Sequence, residues 1–301
     1  MMDNHTGAVN PFEVVFNPET LLTAIAKYRS SDLRNIPVAE VRDIFSIIFS
    51  KLNLITANLG GIFIFRVREI KKGEEHRRIC DIWSPPAECA SLGRANDAGE
   101  SIFYGALDPV TAIREISLQP GNHFTLGNFW LSQTEDDWHS SRIITIPKHT
   151  HARNRDEHLH SRILSDFIFS EFTRPVGEGM EFQYKASCAI SKLLLDRADK
   201  DSLIFPSICD SQAYNLVMKN EAAEKRLHPK QVFRCRLDGW SEANYPIITI
   251  EQEGNDFGTG GVIDYQAFHP DAKEFEFRPD KFFKGENPNQ MVKQKLEQWS
   301  L

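Results

Sequence analysis

The sequence predicts an α+β fold, a mixed sheet of many short strands with helices beside it. Helical periodicity governs the opening sixty residues, and at Gly61 the texture changes to period-two alternation. Strand-like and helical stretches then follow one another without a βαβαβ rhythm. No GxGxxG occurs, which argues against a doubly wound dinucleotide-binding sheet. With 301 residues, 41% of them hydrophobic and 11% aromatic, the chain has ample material for a buried core.

Taken in order, "NPETLLTAIAKYRS" offers Asn17 as an N-cap and Pro18 at the first helical position. "VAEVRDIFSIIFSKL" continues with apolar residues at helical spacing. In "GIFIFRVREI", Ile62, Ile64 and Arg66 fall on one face of a strand and Phe63, Phe65 and Val67 on the other, so the strand presents an arginine at its end. Residues 71–92 are polar and then Pro- and Ser-punctuated ("WSPPAECASLG"), the texture of a loop or excursion. "GRANDAGESIFYGALDPVTAIREI", residues 93–116, reads as a glycine-bracketed loop, a short aromatic strand and a capped helix. Asp108 caps that helix and Pro109 suits its first turn, which puts Glu115 about two turns in, on the face of Ala112 and Ile116.

Beyond it, "HFTLGNFWLS" and "SRIITIP" read as strands, and "KHTHARNRDEHLHSR" as an exposed loop or helix start. "GMEFQYKASCAISKLLLDRA" is the best helix of the second half, with Phe182, Ala186, Ala189, Ile190, Leu193 and Leu194 on one stripe. "SLIFPSICDSQAYNLVMKN" gives strand, turn, strand. Residues 231–251 are β-like again, and the tail from about Gly254 mixes Gly, Pro and charge. The domain reading is a helical N-terminal extension over 1–60, a central domain over 61–240, and a C-terminal extension over 241–301 packed on it.

Bulk properties exclude several classes. A net charge of −7, from 42 acidic and 35 basic residues, gives no global attraction to a polyanion, so nucleic acid is not an expected partner. No apolar run of about 18 residues is present and the N-terminus lacks a basic then apolar leader, so the reading is a cytoplasmic protein without a membrane partner. Five cysteines, none spaced CxxC, suggest reduced thiols and neither a disulfide framework nor a zinc knuckle. His149, His151, His158 and His160 form two H-x-H pairs, but the spacing fits neither HExxH nor a zinc finger, and no metal is expected.

Several pieces occur together in a telling order. "FRV" stands at 65–67; G-R-x-N-x-x-G leads into a strand carrying Tyr104; an Ala-x-x-Glu helix places Glu115 eleven residues after that Tyr; and Pro-Ser at 206–207 is followed eight residues later by Asn215. Over roughly residues 61–240 this resembles the RES domain, a family named for its Arg, Glu and Ser. The resemblance implies an ADP-ribosyltransferase-like mixed sheet that binds NAD, and an enzyme, commonly the toxin of a toxin–antitoxin pair, that degrades NAD or transfers its ADP-ribose. It implies catalytic roles for Arg66, Tyr104, Glu115 and Ser207, and NAD-binding roles for Arg66, Arg94, Asn96, Tyr104 and Asn215. The sequence departs from the pattern at Ala95, where an aromatic is usual, and in the long span from Glu115 to Ser207. Arg68 is a near alternative to Arg66.

Chemistry gives these residue types a reason to meet. Cleaving the nicotinamide–ribose bond develops positive charge on the ribose, which a carboxylate such as Glu115 can stabilise. A pyrophosphate suits the planar, permanently charged donors of Arg66 or Arg94. Tyr104 offers a ring face or a hydroxyl, and Ser207 a donor and an acceptor. Each also has an ordinary alternative: an edge salt bridge for Glu115, core packing for Tyr104, a turn for Ser207, a surface ion pair for Arg66. The expectation is an NAD-cleaving hydrolase or phosphorylase with NAD as substrate and no further cofactor. An ADP-ribosyltransferase acting on a macromolecule and a non-catalytic NAD-binding module are the alternatives. A separately encoded antitoxin is the expected partner, with a homodimer left open.

Overall fold

The computed structural model describes residues 18–49, 55–58, 61–132, 142–145, 155–197, 201–210, 213–268 and 275–277. Two helices come first. α1 (Pro18–Arg29) buries Leu21, Ile25 and Tyr28, and α2 (Val38–Phe49) buries Val38, Val41, Phe45 and Phe49, both at helical spacing. Pro18 is the first helical residue, as its fixed φ favours; the expected cap, Asn17, lies outside the described residues.

The remaining elements are β1 (Ile55–Asn58), β2 (Ile62–Ile70), β3 (Ile102–Ala106), α3 (Pro109–Glu115), β4 (His123–Leu131), β5 (Arg142–Thr145), α4 (Arg155–Thr173) and α5 (Tyr184–Arg197). After these come β6 (Ser202–Pro206), β7 (Tyr214–Lys219), α6 (Asn220–Arg226), β8 (Leu227–Trp240), β9 (Pro246–Phe257), β10 (Ile263–Ala267) and β11 (Phe275–Glu276). The strands join in one sheet in the order β1-β5-β6-β7-β3-β2-β4-β8-β9-β10, with β11 on β9. Every pairing is antiparallel except β5 with β6. The α+β class is as the sequence predicts.

The sheet almost parts in the middle. β2 and β3 share the single register pair Phe65 opposite Ala106, whereas β2 pairs with β4 along its whole length from Ile62 to Ile70. Close approach at that one crossing needs Gly105, because a Cβ there would stand 2.5 Å from Ile64 Cγ2 and 3.1 Å from the Phe65 carbonyl oxygen. The parting opens a gap between the two halves.

Three apolar clusters hold these layers. α4 and α5 pack on β6, and α1 and α2 on those helices, burying Phe172, Ala186, Ile190, Leu203, Phe205 and Val217 together with the core faces of α1 and α2. Ile204, Leu216 and Met218 point to the opposite face and meet Ile62, Ile64, Phe103 and Phe129. β6 is therefore covered on both faces, which explains its unbroken apolar run. A third cluster lies under α3, with Phe65, Val67, Ile113, Leu126, Phe233 and Phe277. Burying each such side chain contributes about 1.5–3 kcal/mol.

Polar ties join α1 and α2 to the later helices. Lys185 Nζ donates to the carbonyls of Leu33, Arg34 and Ile36 at 2.8, 3.2 and 2.7 Å, so all three ammonium protons hold the α1–α2 connection. Tyr28 Oη donates to the buried carboxylate of Glu171 at 3.0 Å, and Arg174 Nη2 donates to the same carboxylate at 2.6 Å.

Three expectations need correction. Arg66 is not at a strand end: β2 continues four residues to Ile70, because Val67–Ile70 still pair with β4. The hydrophilic run at 148–162, read as an exposed loop or helix start, is in its described part the helix start, α4 from Arg155, but it is not exposed throughout, since the 19-residue helix is held by Leu164, Phe167, Ile168 and Phe172. Of its histidines, His160 is buried in α4, while His149, His151 and the side chain of His158 lie outside the described residues. Finally, α5 begins at Tyr184, and Phe182 leaves the expected stripe to lie under the Arg34 guanidinium, 4.9 Å from its ring centroid.

Candidate active site

α3 begins as its sequence dictates. The Asp108 carboxylate accepts from the Thr111 backbone N–H at 2.9 Å, and Pro109 occupies the first turn. Glu115 is the last helical residue, a position where the helix dipole disfavours a negative charge. Donors from the far half of the chain offset this. Ser207 Oγ donates to Glu115 Oε1 at 2.5 Å and Asn215 Nδ2 donates to the same oxygen at 2.7 Å. Charge-assisted bonds of this kind are roughly twice as strong as neutral ones.

Ser207 and Asn215 are themselves fixed. Ser207 follows Pro206 at the end of β6, is 2% exposed, and accepts from the Cys209 backbone N–H at 3.0 Å. Asn215 sits in β7 opposite Ala106 of β3. Glu115 Oε2 takes no hydrogen bond from the described residues. One oxygen of the carboxylate is thus held and the other is open.

Glu115 and Asn215 line a cavity of about 100 Å³ with Arg66 and Tyr104, closed on its apolar side by Phe65, Val67, Ala112 and Ile116. It lies at the parting of β2 from β3. Arg66 spans that parting: Nη1 donates to the Tyr104 carbonyl at 2.5 Å, Nε to the Ile82 carbonyl at 2.8 Å and Nη2 to the Trp83 carbonyl at 3.1 Å. Its guanidinium also lies 5.3 Å from the Phe103 ring centroid. Burial, with the charge of Arg68 adding to it, brings its pKa down to about 10, which leaves it cationic at neutral pH. Arg66 lines the cavity; Arg68, two residues on, does not, and its charge acts on His76 as well as on Arg66.

The loop residues behave differently from the expectation. Tyr104 Oη donates to Asn96 Oδ1 at 2.8 Å and accepts from the Ala95 N–H at 2.8 Å, and burial pushes its phenol well above the ordinary value. Asn96 Nδ2 in turn donates to the carbonyls of Ser91, Asp97 and Glu100. Both side chains use their polar atoms on the loop itself. Gly93 makes this possible, since a Cβ there would fall 2.5 Å from Asn96 Oδ1 and 2.8 Å from Tyr104 Oη. The glycine serves this internal packing.

Arg94 lies over the Tyr184 ring, 4.9 Å from its centroid, and its Nη2 donates to the Arg174 carbonyl at 2.9 Å. Its Nη1 is buried without a hydrogen-bond partner. Burial lowers its pKa while the charges of Tyr184 and Glu115 oppose the shift, so Arg94 and Glu115 feel one another. Cys209 follows Ser207 by two residues; its residue is exposed at the surface, but partial desolvation of the thiol and the Glu115 charge push it up to about 11.

Arg66 and Glu115 share the cavity at the parting of the sheet, and Ser207 is bonded to Glu115. A family model, the RES domain, matches residues 65–238. The chain belongs to the RES domain family. RES membership suggests an NAD-related, toxin-like function and is compatible with an enzyme acting on NAD. No curated protein matches the chain. The RES match begins in β2 and ends in β8, so it contains Arg66, Tyr104, Glu115, Ser207 and Asn215 but neither α1 nor α2.

Sequence reasoning missed the partners of Arg66, because the carbonyls of Ile82 and Trp83 are backbone groups with no residue signature. It also passed over Arg114, whose side chain reaches the Ser207 loop. A larger cavity, about 560 Å³, touches Asn96 but none of the other predicted residues. Among the described residues no helix is long and apolar enough to cross a membrane, and no group of three His, Cys, Asp or Glu is placed to hold a metal ion.

Proposed function

We propose that this RES domain cleaves the nicotinamide–ribose bond of NAD, with Glu115 as the catalytic carboxylate. One observation carries the reading: Glu115 Oε1 is fixed by Ser207 and Asn215, Oε2 takes no hydrogen bond from the described residues, and Glu115 lines a cavity with Arg66. When the glycosidic bond breaks, its electron pair goes to the pyridinium nitrogen, neutral nicotinamide leaves, and the ribose carries positive charge. A carboxylate held in advance stabilises that charge without reorganising. Attack by water on the ribose then gives ADP-ribose and releases a proton.

The cavity is well below the ~300 Å³ at which typical ligand pockets begin, so it takes one ring-sized group of NAD and the rest lies outside it. Ser207 and Asn215 hold Glu115 Oε1 as a hydrogen-bond acceptor. Arg66 has two N–H groups, one on each terminal nitrogen, without a partner among the described residues and so free for the substrate, while its other three hold the cavity wall. NAD serves as substrate, with no further cofactor. The biological setting in this reading is a cytoplasmic toxin restrained by a separately encoded protein, as the resemblance implies.

The test is nicotinamide release from NAD by the purified chain, with the fate of the ADP-ribose followed in water, in phosphate and in the presence of host protein. Glu115→Gln is expected to lower the rate by about 10²–10³ at unchanged folding. A folded wild type that binds NAD without turnover would leave a binding module, and label retained on protein would identify a transferase. Full activity of Glu115→Gln would remove Glu115 from the chemistry.

A further inference from the structure

Glu115 and its neighbour Arg114 leave the end of α3 and reach one loop at two points. Glu115 reaches Ser207, and Arg114 Nη1 reaches Asp210 Oδ2 at 3.5 Å, three residues further along the same β6–β7 connection. Arg114 Nη2 also donates to the Asn244 carbonyl in the β8–β9 turn, and the guanidinium lies 5.8 Å from the Tyr245 ring centroid. Asn244 takes a left-handed φ of 58°, and its N–H donates to Ser241 O at 2.8 Å, so the turn that supplies this acceptor is itself constrained. The Arg114 side chain is 13% exposed, and its Nε is buried without a hydrogen-bond partner. A cation in the last turn of α3 also favours the helix dipole that Glu115 opposes.

We propose that Arg114 is a positioning residue for Glu115: it fixes the end of α3 against the loop of Ser207 and ties both to the β8–β9 turn. The inference rests on the reading of Glu115 as the catalytic carboxylate. The Ser207–Glu115 bond closes only when helix end and loop keep their separation, and Arg114 is the second tie between them. The β8–β9 turn lies beyond the residues matched to the RES model, so part of the support for Glu115 comes from outside the matched region.

Two measurements on Arg114→Gln test this. Turnover of NAD is expected to fall about 10- to 100-fold, as for a reacting group displaced by around an ångström, with KM within about twofold. In a Glu115→Gln background the same substitution is expected to cost nothing further, because the residue acts through Glu115. Hydrogen exchange at the Cys209 amide, which donates to Ser207 Oγ, should accelerate while the β2–β4 amides keep their protection. Equal losses in both backgrounds, or unchanged exchange at Cys209, would overturn the proposal. If Arg114→Gln does not fold, Asp210→Asn carries both measurements, with a smaller fall expected. If the wild type releases no nicotinamide, the functional reading fails, and Cys209 exchange alone decides whether the tie exists.

Discussion

In the larger cavity, opposite charges meet each other: Arg42 pairs with Asp196 at 3.1 Å and Lys192 with Glu100, at side chains 22–54% exposed. In the smaller one, charges are kept apart and held by neutral groups. Arg66 is gripped by three carbonyls, and Glu115 by a hydroxyl and an amide. A water-exposed ion pair cancels its own field and contributes about 0–1 kcal/mol. A charge fixed by neutral dipoles in a partly buried wall keeps its field for whatever enters. The contrast separates the two cavities more clearly than their volumes, which rank them the other way.

The sharpest way to break this comparison is to remove the cation at the parting of the sheet. Arg66→Met leaves the carbonyls of Tyr104, Ile82 and Trp83 without their donor, and unsatisfied buried groups cost about 1–3 kcal/mol each. We expect destabilisation of roughly 3 kcal/mol or more in denaturant titration, with loss of nicotinamide release. Arg66→Lys should fall between, since an ammonium cannot reproduce the planar fork that reaches three acceptors. Wild-type stability and turnover in Arg66→Lys would show that the guanidinium does not join the two halves of the sheet.

That role for Arg66 marks where sequence reading stops. Elements with local chemical punctuation were legible: Pro18 starts α1, Asp108 and Pro109 start α3, and the alternation in "GIFIFRV" assigns Ile62 and Ile64 to one core and Phe65 and Val67 to another. Glu115, Ser207 and Asn215 came from the order of motifs; nothing in periodicity brings together residues 92 and 100 positions apart. Tyr104 and Asn96 were found as polar residues at a glycine-bracketed loop, but a sequence shows the donors and acceptors without their pairing, and here they satisfy one another. The start of α4 was legible as an alternative to a loop, but its length was obscured because its first turns are polar and its fully buried apolar residues begin only at Leu164.

A subtler test concerns the excursion that supplies two of the Arg66 carbonyls. His76, at its start, is buried with Nδ1 2.8 Å from Thr125 Oγ1, and burial together with the Arg68 charge lowers its pKa below the ordinary 6.5. The folded state therefore favours the neutral ring. Its contribution to stability is complete above pH 6.5 and is lost as pH falls from there through the depressed folded value, because the unfolded chain takes up the proton first. His76→Gln, which can still bond Thr125, should show a shallower fall in Tm between pH 7 and 5.5 than the wild type. An identical slope would mean that His76 does not contribute to the acid sensitivity of this region.

The smallest expected effect is at the larger cavity. Arg42→Gln breaks an ion pair whose two side chains are 43% and 54% exposed, so stability should change by about 0–1 kcal/mol and the change should shrink in salt. Nicotinamide release should stay within about twofold of wild type, since Arg42 has no contact with Arg66, Glu115, Ser207 or Asn215 among the described residues. Among the described residues, Tyr104, which lines the smaller cavity, bonds through its hydroxyl to Asn96 Oδ1 and to the Ala95 N–H, both residues of the larger. A loss of activity beyond tenfold in Arg42→Gln at unchanged Tm would therefore mean that these two bonds carry the state of the larger cavity to the smaller. The two would then act as one site in spite of their different handling of charge.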